Sequence, residues 1–316
     1  MVSLLSILPF TAPACGSAQG GGEAPEAPKV YFVRDITPEN MVRLYEALER
    51  PATGKVAVKL STGEPGGHNF LKPELIKELV QKVDGTIVEC NTAYGGGRAS
   101  TENHLKAAAH GFTAIAPVDI MDAEGEVSLP VKGGRHLREN FVGSHYPAYD
   151  FTVVLSHFKG HAMGGFGGAV KNISIGIASS AGKAWIHSAG KTKNAAQMWG
   201  NLPAQDDFLE SMAEAAKSVA DHCGEKILYI NVMNNLSVDC DCDAHPEDPK
   251  MGDIGILAST DPVALDKACV DLVYASPDPG KVHLIERMES RHGIHTLEHG
   301  EAIGLGSQQY ELVELE

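Results

Sequence analysis

Two short runs of this sequence hold the side chains best suited to chemistry. From Ser156 to Asn172 it reads SHFKGHAMGGFGGAVKN, so His161 precedes Lys171 by ten residues, and His187 follows Lys171 by sixteen. A neutral imidazole can ligate a metal or move a proton near neutral pH, and a lysine ammonium can hold a phosphate or carboxylate. Gly164, Gly165, Gly167 and Gly168 would let backbone amides approach a ligand closely. A helix beginning near Gly167 would add its positive end, with Lys171 about one turn inside it. This is not a nucleotide-binding Walker loop, because the GxxxxGK[ST] pattern is absent. Glycine-rich turns also serve simply as tight corners, and histidines also fill half-buried polar niches. The shared location of His161, Lys171 and His187 favours function, with either histidine open to metal ligation or proton transfer and the four glycines and Lys171 suited to an anionic ligand.

The second run is Val238-Asp239-Cys240-Asp241-Cys242-Asp243-Ala244-His245-Pro246. Cys240, Cys242 and His245 could ligate a thiophilic metal, since thiolate and imidazole suit zinc, nickel or iron. The spacing matches no standard zinc motif, so further ligands must come from elsewhere, and a solvated acidic loop is the alternative. Arg98 closes the glycine-rich stretch Asn91 to Arg98 and could clamp a carboxylate in bidentate fashion, which adds it to the catalytic candidates. His292, His295 and His299, spaced by three and four, read as a surface cluster. No Gly-x-Ser-x-Gly elbow points to a hydrolase.

These residues need elements to position them, and β-rich runs alternate with amphipathic ones throughout. Strands are expected at residues 55–61, 85–91, 113–120, 151–157, 226–233 and 253–259, and helices at 73–83, 100–110 and 207–223. Asp261, or Thr260 beside it, can cap a further helix with Pro262 in its first turn. Phe151 to His157 is an unbroken apolar run, suited to a strand covered on both faces. The pattern predicts an α/β fold with a largely parallel, Rossmann-like sheet and helices on both faces, in one large or two closely joined domains. Residues 125–149 are less regular and could carry a hairpin. Ligands bind such sheets at the carboxyl ends of strands, where the first run begins.

The 316 residues are 43% hydrophobic and 21% charged, enough to bury a large core. A formal net charge of −15 argues against a grip on nucleic acid, which needs a basic face. An anionic ligand or cofactor must therefore meet a local positive site, and Lys171, Lys183 and Lys191 are candidates. Residues 1–29 read as an export leader and flexible linker, with Ala14-Cys15 resembling a lipoprotein cleavage site. That predicts export with a lipid anchor on Cys15 as the one membrane contact; the alternative is a cytoplasmic protein with an apolar leader. The remaining α/β region is 30–316. Cys90, Cys223 and Cys269 sit in apolar contexts and read as buried thiols.

The run FKGHAMGGFGGAVKN, with DCDC at 239–242 and DIGILASTDPVALDKACVDLV at 253–273, resembles the bacterial family called domain of unknown function 362. Many of its members carry an inserted pair of four-iron clusters, which require repeated CxxCxxC runs; this sequence has none. A more distant resemblance is to lactate racemase and its relatives, which hold a nickel-pincer nucleotide covalently on a lysine. That resemblance implies His161 as a proton-transfer residue, Lys171 as the tether and His187 as the nickel ligand. It also places Gly97-Arg98-Ala99-Ser100-Thr101 at a motif whose histidine is here Gly97, with His104 one helical turn along. The implied function is a cofactor- or metal-dependent racemase or epimerase of a small hydroxy acid. The alternatives are an iron-sulfur or metal-binding redox partner and a periplasmic small-molecule binding protein.

Overall fold

The computed structural model describes residues 26–316. Most of the expected leader, Cys15 included, lies outside the described residues. The chain begins with strand β1 (Lys29–Val33) and helix α1 (Pro38–Ala47), then β2 (Val56–Lys59), α2 (Pro73–Lys82), β3 (Gly85–Glu89), α3 (Thr101–Ala108) and β4 (Val118–Ile120). Ser100 caps α3, its hydroxyl accepting from the Asn103 amide. The strand expected from residue 113 starts only at Val118, because Phe112–Ala114 forms a single 3-10 turn and Pro117 has no N–H to give a ladder. A hairpin follows, β5 (Glu126–Pro130) against β6 (Glu139–Gly143), in the irregular region. The apolar run is β7 (Phe151–His157), with the bounds expected.

After β7 comes an element that periodicity did not announce, a small antiparallel ribbon of β8 (Lys159–His161) and β9 (Gly165–Gly167). The order is then α4 (Ala169–Ser174), α5 (Ser180–His187), α6 (Ala195–Met198), α7 (Gln205–Cys223), β10 (Ile227–Met233) and β11 (Gly255–Ser259). α8 (Pro262–Ala275), α9 (Lys281–Ser290), α10 (His295–Ala302) and β12 (Glu311–Glu314) complete the chain. Of the two candidates Thr260 and Asp261, it is Asp261 that caps α8, accepting from the amides of Val263 and Ala264.

Eight strands form one sheet in the order β12-β1-β11-β10-β7-β2-β3-β4. Every pairing is parallel except the two made by β11, which runs antiparallel to β10 and β1. No helix separates β10 from β11. A return without a crossover helix brings the chain back antiparallel. Both faces of the sheet are covered. Val153 and Leu155 of β7 pack with α1 and α2 residues such as Leu44, Ile76 and Leu79, while Val154 packs with Val170, Val219 and Leu265 of α4, α7 and α8. Alternate residues of one strand therefore feed opposite cores, which is why its sequence is apolar throughout. Among the described residues no helix is long and apolar enough to cross a membrane.

Candidate active site

The sheet order reverses between β2 and β7. β3 and β4 extend one way from β2, and β10 extends the other way from β7. Such a switch point leaves a crevice outside the carboxyl ends of the two strands. A narrow cavity of ≈ 70 Å³ lies there, lined by Lys59 at the end of β2 and Ser61 just beyond it, Glu89 at the end of β3 and Cys90 just beyond it, and Ser156 and His157 at the end of β7. It shares Thr92, Tyr94, Cys240 and Cys242 with a wider cavity of ≈ 290 Å³ that includes His161. Asn172 of α4 ties the two diverging strands, its amide donating to Lys59 O (3.2 Å), Leu155 O (3.3 Å) and Ser156 Oγ (3.0 Å).

Charge is concentrated in this cleft. Glu89 accepts from the Thr62 amide (2.7 Å) and hydroxyl (2.9 Å) and pairs with Arg98 (3.3 Å) and Lys59 (3.7 Å). Burial alone would raise its carboxyl, but Lys59 and Arg98 hold it well below its ordinary range. Lys59 is itself brought down to about 8, burial outweighing the attraction of Glu89. Burial pushes the Cys90 thiol up to about 12, so it is neutral. On the other side, Asp241 accepts from Lys159 Nζ (2.8 Å) and lies 2.8 Å from His157 Nδ1, whose Nε2 meets Asn234 O at 2.6 Å. This buried network anchors the 234–254 loop, which carries both cysteines, to the end of β7.

Cys240, Cys242 and His161 come together within 4.8 Å of one another. The Cys242 thiol donates to Cys240 Sγ at 2.7 Å, and Lys171 Nζ lies 3.8 Å from the same sulfur. That hydrogen bond, opposed by burial and assisted by Lys171 and Lys159, holds Cys240 well below the ordinary thiol value. The same bond and burial push Cys242 up. Of the two sulfurs, Cys240 is therefore the one favoured as a thiolate.

The two histidines differ in tautomer. The Gly164 amide donates to His161 Nδ1 (2.8 Å), so the neutral ring carries its proton on Nε2. Burial, then Lys171 and His187, keeps that ring well below the ordinary imidazole value and hence neutral. His187 Nδ1 donates to Lys183 O (2.7 Å), one helical turn earlier, which leaves an Nε2 lone pair. Burial brings His187 down to about 4, and its ring stacks on Phe208 and meets the edge of Tyr94. His161 therefore offers an N–H donor at Nε2 and His187 a lone pair at Nε2, but His187 lines neither cavity and stands outside the cysteine cluster.

Some expected site residues serve other ends. Arg98 is buried, with Nε on Glu64 (3.0 Å) and NH1 on Glu89 (3.3 Å) and Ser61 (3.3 Å), so its guanidinium clamps the protein's own carboxylates. The positive end of α4 goes to Asp266 of α8, which accepts from the amides of Ala169 (2.7 Å) and Val170 (3.0 Å). A Cβ on Gly168 would stand 2.3 Å from that carboxylate, and one on Gly165, at φ +80°, 3.0 Å from Gly293. Both glycines answer to internal packing. Gly167 also lines the cleft, and Gly164 forms the turn under His161. His245 is exposed and stands apart from the cysteine cluster. Lys191 is exposed, whereas Lys183 is buried in the cleft wall. His104 is buried with Nε2 3.5 Å from Glu89 and does not line the cleft. His295 and His299 cross to Glu210 (3.1 Å) and Glu214 (3.2 Å) of α7, far along the chain from the cleft residues.

Lys59 and Glu89 lie outside both candidate runs, while His157, Lys159, Asn172 and Asp241 lie inside them with no individual role legible except Asp241 as one of three carboxylates that could hold a metal. The available signal was a charged or polar residue closing an apolar strand, as Lys59 closes Val56-Ala57-Val58 and Glu89 closes Ile87-Val88.

The family model described as "Domain of unknown function (DUF362)" matches residues 56–271. The chain belongs to the DUF362 family. The matched span holds every residue named in the cleft, from Lys59 to Asp266. Among curated proteins none matches this DUF362 chain. Solved structures similar to it include two proteins of low sequence identity. The lactate racemase apoprotein from Thermoanaerobacterium thermosaccharolyticum has 16% sequence identity and a TM-score of 0.45, over 77% of this chain and 57% of that one. A protein from Thermotoga maritima has 14% identity and a TM-score of 0.40, over 74% of this chain and 58% of that one. The DUF362 chain thus spans less than two thirds of the length of either.

Proposed function

We propose that this DUF362 protein is a metal-dependent enzyme acting on a small anionic molecule, in which Cys240 and Cys242 hold a soft metal ion beside His161. The observation that carries the reading is the meeting of two sulfurs and an imidazole at the switch-point crevice, inside a cleft lined by cationic side chains. Two cysteines and a histidine with an open position are a donor set that binds zinc, nickel or iron and leaves room for substrate. The metal would supply Lewis acidity toward a substrate oxygen. In the tautomer that the Gly164 contact selects, His161 would donate a hydrogen bond from Nε2 to the substrate; it becomes a ligand through Nδ1 only if the Gly164 amide moves away. Lys171, beside Cys240, holds an anionic group.

The finer reading is racemisation or epimerisation of a small hydroxy acid, with a nickel-pincer nucleotide on Lys171. The amine of Lys171 and the free Nε2 of His187 fit that cofactor. Gly97 in place of a histidine, and His104 turned to Glu89, leave His161 as the imidazole beside the two cysteines. A second reading, a metal-binding redox partner, draws on the 2.7 Å separation of the two sulfurs.

Anaerobic purification followed by elemental analysis and intact mass tests these readings together. The expected result is about one equivalent of transition metal, lost from the Cys240→Ser/Cys242→Ser double variant. A mass excess lost in Lys171→Ala supports the tethered cofactor. Metal retained by the double variant overturns the metal assignment. Reversible visible absorbance without turnover of hydroxy acids favours the redox reading.

A further inference from the structure

The narrow cavity at the switch point contains more positive charge than the protein neutralises. Five cationic side chains line it: Lys59, Arg98, Lys159, Lys171 and Lys183. Three have partners of their own. Lys159 meets Asp241 at 2.8 Å, Arg98 meets Glu64 at 3.0 Å, and Lys171 faces the Cys240 sulfur at 3.8 Å. Lys59 and Lys183 remain. Glu89 is the one carboxylate lining the cavity, and it stands 3.7 Å from Lys59 while also serving Arg98 and Thr62. Lys183 makes no ion pair among the described residues. Its Nζ donates to the carbonyls of Ala178 (2.6 Å) and Cys90 (3.4 Å).

Both lysines are almost fully buried, at 1% and 3% exposure. An ammonium has three protons to place. Lys183 has two carbonyl partners for its three, and Lys59 has Leu60 O (2.6 Å) with a long contact to Glu89. Burial drives both ammonium groups toward their neutral forms, with Glu89 opposing at each, Asp122 opposing at Lys183, and repulsion from Lys183 adding to the shift at Lys59. The neighbouring Cys90 is no counter-anion, because burial keeps its thiol protonated. An oxyanion placed between the lysines would answer both deficits, supplying negative charge and the missing acceptors. Ser61 and Asn172 stand in the same wall. At ≈ 70 Å³ the space suits a single carboxylate or phosphate group and is too small for a nucleoside.

We propose that Lys59 and Lys183 form a buried subsite for one oxyanion group, the carboxylate or phosphate of a small ligand whose remainder occupies the wider cavity beside Cys240, Cys242 and His161. The subsite rests on the enzymatic reading for its purpose but not for its existence. It fixes the polarity of binding, with the anionic end at the carboxyl ends of β2 and β3 and the reacting end at the cysteines.

The test is calorimetric titration of the full chain with inorganic phosphate and, separately, with lactate and malonate, on the wild type, Lys59→Met, Lys183→Met, Lys183→Arg and Cys240→Ser/Cys242→Ser. Lys191→Met, at an exposed position, is the control. The subsite predicts saturable binding of at least one probe, weakened by roughly 10- to 100-fold in both methionine variants. Lys183→Arg, which keeps the charge, should retain more binding than Lys183→Met. The cysteine double variant should bind the anion as the wild type does, and metal content measured on the same samples should be unchanged in the lysine variants. Preference for phosphate or for the carboxylates identifies the group. Unchanged affinity in both methionine variants overturns the subsite, as does the absence of saturable binding by every probe. Anion binding lost only with the cysteines would place the anion on the metal and also overturn it, while metal loss alone speaks to the enzymatic reading.

Discussion

A guanidinium with no exposed face cannot be exchanged for an ammonium, and Arg98 shows why. Its planar fork reaches Glu64, Glu89 and Ser61 at once, in a pocket where only 4% of the residue is exposed. Replacing it by methionine leaves Glu64 and Glu89 with less compensation. Arg98→Met is expected to lower unfolding stability by about 3–5 kcal/mol in urea titration, and Arg98→Lys to recover only part of it. Loss of activity with unchanged stability would instead make Arg98 a ligand clamp. The histidines teach a related lesson. His161 and His187 have the same ring, yet one accepts from a backbone amide and the other donates to a carbonyl, so their free nitrogens offer opposite chemistry.

Elements meet at Asp266, where a carboxylate from α8 caps the first turn of α4 and accepts from Asn231 Nδ2 at 2.7 Å. Burial pushes this carboxyl up to about 6 despite those three donors. A carboxyl that holds its proton better when folded stabilises the protein most below its ordinary value of 3.8, and that contribution is lost as pH rises through about 6. The share due to Asp266 should therefore decline by about 3 kcal/mol between roughly pH 4 and pH 6. Stability curves of the wild type and Asp266→Asn over this window check the point: the variant should lack the decline. Parallel curves at every pH would mean that Asp266 titrates normally.

At the scale of the molecule, the 234–254 loop decides whether there is a site at all. It is long because β10 and β11 are joined without a helix, and it folds back over the switch point through Asp241, which grips His157 and Lys159 at 2.8 Å each. Breaking that network should release the loop and both cysteines. Asp241→Asn is expected to weaken metal binding by roughly 10- to 100-fold, with hydrogen exchange accelerated in residues 234–254 while β7 and β10 keep their protection. Metal affinity and loop exchange that match the wild type would show that the cysteines are held by other means.

The residue pattern by itself determined the α/β alternation, the fully covered β7, the cap Ser100, a cap at Thr260 or Asp261, and the two runs that carry the candidate chemistry. These are local properties: periodicity, capping and turn chemistry act within a few residues. The β8–β9 ribbon escaped because its strands are three residues each, too short to display a period. The reversal of β11, the gift of the α4 amides to Asp266 and the use of Arg98 by Glu64 and Glu89 were decided only when segments distant in sequence packed together. So was the pairing of Lys59 with Lys183 around one cavity. Burial and the approach of unlike elements set each group's charge and partners, and neither quantity is written in the order of the residues alone.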